Sequence, residues 1–244
     1  MANVPPSYKP KSIERVSEDL YIVHGTLRRK HVIKKNRNMV VIRNNRVLTL
    51  INAIRLNEDG ERRLRKLGTV RHIIRLGPSH GAYDDEYYIN TFDAQLWSPG
   101  LSLYRPDLSP IHRVLEEETI LPIPKAELFM FRDTKSPEAS ILLKQDGGNL
   151  LITSKSLQCQ WDNPFINMPT RAIMQLSGLM DFPLVISPKW LKSMSPKQGS
   201  LRDDFERLLR LDFDKIIGAS GNLVYKGAKE GVVVAVDSAF PVWT

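Results

Sequence analysis

Three β-patterned runs in close succession constrain this chain more than any other feature. Residues 20–25 read Leu-Tyr-Ile-Val-His-Gly, 39–43 read Met-Val-Val-Ile-Arg, and 47–52 read Val-Leu-Thr-Leu-Ile-Asn. Apolar, β-branched runs of this kind suit a pleated, half-buried surface. Asn44-Asn45 separates the last two, and Asn tolerates the positive φ of a tight turn. The chain therefore opens as an antiparallel meander, which argues against a doubly wound parallel sheet. Residues 1–15 carry three prolines and no hydrophobic period, so an extended lead-in is expected there.

Beyond the meander the pattern alternates. Residues 57–68 begin with acidic and end with basic side chains before Gly68, the polarity of a helix with glycine at its C-terminal end. A strand is expected at 70–76, a helix at 84–91 and a short strand at 94–97. A Pro- and Ser-rich loop follows, to about residue 110. The second half repeats this logic. Strand patterns at 128–131, 139–143 and 150–153 surround an Asp146-Gly147-Gly148-Asn149 turn. Helical zones at 169–180 and 202–211, a strand at 215–219 and a helix over 223–238 complete the chain. Two strand-rich halves, each closed by helices, predict one α/β domain over residues 16–244: a four-layer αββα sandwich.

Composition narrows the setting. At 244 residues with one cysteine, Cys159, the chain can bury a sizeable core and holds no internal disulfide. That cysteine usage, together with an N-terminus lacking a signal peptide's apolar core, points to the cytoplasm. The longest apolar run, residues 232–236, is far short of a membrane span, so no membrane partner is expected. The net charge is +8. Its cations concentrate at 28–37, Arg-Arg-Lys-His-Val-Ile-Lys-Lys-Asn-Arg, and at 62–66, Arg-Arg-Leu-Arg-Lys. The first run reads as a solvated hairpin tip and the second as a helix face whose leucines turn inward. A polyanion site built on Arg28, Arg29, Lys30, Lys34, Lys35 and Arg37 is the competing reading. No aromatic residues interleave with these runs to stack bases, which argues against nucleic acid.

The strongest local signal for chemistry is Leu76-Gly-Pro-Ser-His-Gly-Ala-Tyr-Asp-Asp, where a strand ends and a helix begins. Functional groups collect at such carboxyl ends of strands. His80 and Asp84 are four residues apart and Asp85 adds a second carboxylate; together they could hold one divalent metal, Zn or Fe, weakly. The bland alternative is that Asp84 caps the helix and His80 bonds the loop backbone. Gly77–Gly81 matches Gly-x-Ser-x-Gly in letters only. His24, His31, His72 and His112 read as structural or solvated, and Cys159 has no activating neighbour. No phosphate-cradling glycine motif occurs.

These residues, with the meander, the helix, Leu67-Gly-Thr-Val-Arg-His-Ile-Ile and Leu150-Leu-Ile-Thr-Ser-Lys, resemble a degenerate branch of the metallo-β-lactamase superfamily. The hallmark there is Thr-His-x-His-x-Asp-His, whose side chains bind one or two metal ions. Laid on this chain, Ser79, His80 and Asp84 take the threonine, first histidine and aspartate places. Ala82 and Asp85 stand where further histidines belong. The resemblance implies a histidine before the strand at 139–143, where only Glu138 offers an oxygen. It implies a bridging aspartate after residue 153, where Lys155 stands, and a final histidine where Ser220 stands. The vestigial pocket is either open or filled by side chains such as Tyr83 and Lys155, and Lys155 is expected to pair Asp84 or Asp85.

Three functional readings follow. The first is a pseudoenzyme without metal or other cofactor that binds a small molecule or a protein. The second is a remodelled hydrolase using one weak metal, or His80 with Asp84 as a metal-free acid–base pair. The third is a basic polyanion-binding protein.

Overall fold

The computed structural model describes residues 7–29, 33–78, 82–100 and 112–241. Contacts divide the chain into two compact units, Met1–Pro124 and Lys125–Thr244, which coincide with the two strand-rich halves of the sequence.

The first unit is one seven-stranded sheet. Strands β1 (Lys9–Arg15), β2 (Leu20–Arg29), β3 (Ile33–Asn44) and β4 (Val47–Ile51) form the antiparallel meander. The β3–β4 turn uses Asn45 at φ 57°. The lead-in is thus extended, but its second half is an edge strand rather than a free arm. The edge is where a proline is tolerated: Pro10 sits at the bulge between Pro10 and Ser12, so its missing N–H breaks no regular ladder.

Helix α1 (Glu58–Leu67) then crosses back, and β5 (Thr69–Ile74) pairs parallel to β4. Asn57 caps α1 by accepting from the Gly60 N–H at 3.1 Å, and Leu64 is buried beneath the basic face. At Gly68, a Cβ would lie 2.4 Å from the Arg46 carbonyl oxygen, so the helix exit admits only glycine. Helix α2 (Ala82–Phe92), β6 (Gln95–Ser98) and β7 (His112–Val114) extend the sheet in parallel. The three-residue β7 was not legible in the sequence. The core runs through Val23, Met39, Leu50, Ile54, Ile73, Tyr88 and Leu96.

The second unit holds a four-stranded sheet in the order β13-β10-β9-β8. Its strands are β8 (Ala126–Met130), β9 (Ala139–Leu143), β10 (Leu150–Ile152) and β13 (Lys215–Ile217), with only β10–β13 parallel. A short ribbon pairs β11 (Leu157–Gln158) with β12 (Val185–Ile186). Helices α3 (Met168–Leu176), α4 (Pro188–Met194), α5 (Arg202–Leu209) and α6 (Ala228–Ala239) accompany them. The aromatic centre is Phe131, Trp190 and Phe205, with ring centroids 5.5–5.9 Å apart.

Two helices are shorter than the sequence pattern suggests. α3 stops before Gly178, at φ 71°. α6 starts five residues later than expected because Val224 bridges Ile216. The two-residue strands of the ribbon and the seven-residue α4 carry too few periods to read from sequence. Among the described residues, no helix is long and apolar enough to cross a membrane.

Candidate functional site

Strand β5 delivers the chain to the loop ahead of α2. Ser79 and His80 lie outside the described residues, and Ala82 and Tyr83 open the helix. The next two residues, Asp84 and Asp85, occupy the first turn, where carboxylates suit the helix dipole. Both are buried, at 4% and 1% exposure.

Each carboxylate has its own arginine. Asp84 Oδ2 accepts a short hydrogen bond from Arg37 Nη1, and its Oδ1 accepts from the Arg55 backbone N–H at 3.2 Å. Arg37 also donates to Tyr8 Oη and to the Ala53 carbonyl, both at 3.2 Å. The basic run at 28–37 is therefore not wholly a solvated tip: Arg37 turns inward from β3 and is unavailable to a polyanion. Asp85 Oδ2 accepts from Arg75 Nε at 2.7 Å, with Nη2 at 2.5 Å. Burial pushes the Asp85 carboxyl up, and Arg75 opposes that shift.

Arg75 directly follows β5, so the parallel strands converge on it. Its N–H donates to the Trp97 carbonyl at 2.9 Å. At the end of β6, Ser98 Oγ lies 2.8 Å from His112 Nε2. Burial and the charge of Arg75 lower the His112 pKa. Ser98 is fully buried, so the pair ties β6 to β7. His24 is likewise held by Asn38, at 2.8 Å.

The remaining candidates belong to the second unit. Glu138 immediately precedes β9, is fully buried and accepts from Trp190 Nε1 at 2.9 Å. Burial pushes its pKa up to about 7, against the pull of the Trp190 and Ser156 donors and the charge of Lys155. Lys155 sits half-buried in the loop that joins β10 to β11. Ser220 donates to Gln158 Oε1 and accepts from Gln160 Nε2, both at 3.1 Å. Asn163 Nδ2 donates to Gln160 Oε1 at 2.7 Å and completes a buried amide network. Its one sequence signal was the pair of glutamines flanking Cys159, whose thiol pKa burial raises. Among the described residues, no three of His, Cys, Asp and Glu group so as to hold a metal ion.

No protein-family model matches the sequence, and no curated protein matches it either. Solved structures do. The metallo-β-lactamase FIM-1 from Pseudomonas aeruginosa, in its mono-zinc form, matches with a TM-score of 0.61 at 7% identity, over 96% of this chain and 98% of that one.

The chain has the metallo-β-lactamase fold.

A metallo-β-lactamase from Pontibacter korlensis matches similarly: TM-score 0.59, 10% identity, 93% of this chain and 98% of that one. A flavo di-iron protein from Thermotoga maritima matches with a TM-score of 0.63 at 14% identity, over 94% of this chain but 63% of the other. The α/β sandwich expected from the two strand-rich halves is the architecture of this fold. At such identities the likeness fixes the fold, while function rests on the side chains above.

Proposed function

We propose that this metallo-β-lactamase-fold chain is a non-hydrolytic binding protein whose metal site has eroded. The observation that carries the reading is the pair of arginines at the first turn of α2. Both Asp84 oxygens already accept hydrogen bonds, one from the Arg37 guanidinium and one from the Arg55 N–H, so the charge of this carboxylate is matched by an arginine rather than left for a cation. Asp85 faces the fully buried guanidinium of Arg75. Two fixed positive charges beside a divalent cation repel it strongly in a water-poor interior.

The substitutions read from the sequence agree. Ala82 and Ser220 stand where the resemblance calls for histidines, and Lys155 where it calls for a bridging aspartate. The residues present do not fit the zinc or iron carried in the names of the neighbouring structures. Without the metal there is no metal-bound hydroxide for hydrolysis. Asp84 is also a poor proton acceptor for His80, because an arginine already occupies it. The ligand under this reading is a small molecule or a protein, and the single, buried cysteine suits a cytoplasmic setting.

Elemental analysis of protein purified without chelator tests the proposal. Zinc, iron and manganese together should stay well below one equivalent per chain, also after incubation with each metal and desalting. One or more retained equivalents overturns it.

A further inference from the structure

The exit of α3 opens onto a groove that the candidate site leaves unused. All of its lining residues belong to the second unit. Val185 and Ile186 of β12, Leu191 of α4 and the nearby Phe182 give it an apolar lining, and Ala235 and Ala239 contribute from α6. Those two alanines are four residues apart, so they share one side of the helix. A methyl group at each place leaves a space of about 240 Å³ that larger side chains would fill. Drug-sized ligands occupy sites of about 300–1,000 Å³, so this groove takes something more compact.

The charge in the groove has one sign. Asp181 and Ser238 line it too, whereas no lysine, arginine or histidine among the described residues does. The Asp181 carboxylate sits over the helix exit: a Cβ on Gly178 would lie 3.2 Å from its Oδ2. Gly178 has φ 71°, where glycine is favoured, and that keeps the place beside the carboxylate open. Among the described residues, no cation pairs with Asp181. A second negative source adjoins it. The C-terminal end of α3 meets the groove at Gly178, and its last turn has no basic residue. A helix C-terminus carries about half a negative charge, which favours a cation there.

We propose that this groove binds a compact organic amine, with its hydrocarbon body on the apolar lining and its ammonium group at Asp181. Other ligand classes each fail on one feature. An anion meets two negative sources and no cation. An inorganic cation gains nothing from the apolar lining, and hard ions need several oxygen ligands. A wholly apolar ligand takes water from Asp181 and returns no partner. The proposal rests on the binding-protein reading and names the ligand class for it.

Titration of the full chain with 2-phenylethylamine, followed by protein NMR, reads the result. Binding should saturate, with the largest shifts at residues that line the groove. The neutral isostere 2-phenylethanol should bind about three- to fivefold more weakly, the range of an exposed ion pair, and 3-phenylpropionate more weakly still. Added salt should narrow the gap between amine and alcohol. Asp181→Asn changes an exposed side chain, so it should keep the wild-type melting temperature while bringing the amine level with the alcohol. Ala239→Phe should fill the groove and abolish binding of both. A dissociation constant above about 10 mM for the amine overturns the proposal. So does an alcohol or acid that binds as tightly, or an Asp181→Asn chain that keeps the preference. A lysine-containing peptide that binds where the free amine does not overturns it as well. These titrations do not depend on metal, so their failure removes the ligand class alone, whereas retained metal removes the reading beneath it.

Discussion

Replacing Arg75 with methionine is the sharpest test of how the acidic turn of α2 is held. The side chains of Arg75 and Asp85 are 3% and 2% exposed, so neither partner can fall back on solvent. Methionine keeps the aliphatic bulk and deletes the charge, which leaves Asp85 buried and uncompensated. Breaking a buried pair from one side costs about 3–5 kcal/mol. For a chain of this size that corresponds to a melting-temperature loss of roughly 6–20 °C. The loss should depend on pH. Burial already raises the Asp85 pKa in the native state, and removing Arg75 raises it further. A group whose native pKa lies above its unfolded value gives stability that is present below the unfolded pKa and lost as pH rises through the native one. Arg75→Met should therefore be less destabilised at pH 5 than at pH 8. Arg75→Met/Asp85→Leu should recover most of the loss, since no charge remains buried. Urea unfolding at both pH values measures this as a double-mutant cycle. A loss below about 1 kcal/mol, or a double variant no better than the single one, refutes the buried-pair account.

Glu138 gives a second pH signature. Its native pKa of about 7 lies above the ordinary glutamate value of 4.5, so stability is lost as pH rises between those values. Glu138→Gln should gain about 3 kcal/mol on wild type between pH 4 and pH 8, and parallel stability curves would disprove the shift. In α5, Asp204 accepts from the Arg132 and Asp133 N–H groups at 3.0–3.1 Å and from Arg207 at 2.7 Å. Asp204→Ala should cost about 2 kcal/mol by chemical denaturation, and a change within about 0.5 kcal/mol would show that water replaces the carboxylate.

Much of the framework is legible along the chain, because short-range periodicity and capping chemistry encode it. The meander follows from apolar β-branched runs around Asn45, and α1 from Asn57, its acidic first turn and Gly68. The strand-to-helix position of Asp84 and Asp85 follows as well. What completes these carboxylates does not. Arg37 looked like one more cation in a solvated run, and its partner Asp84 lies 47 residues away. The register sets it opposite Gly25, and its guanidinium reaches Tyr8, Ala53 and Asp84, which come from three other segments. Arg75 meets Asp85 only because the chain folds from β5 back into α2 over the strand ends. The sequence by itself determined which segments are strands and helices, since that information is local. Tertiary structure alone decided which charges neutralise which, since sheet order and register bring distant residues to one buried point, and burial makes the pairing matter.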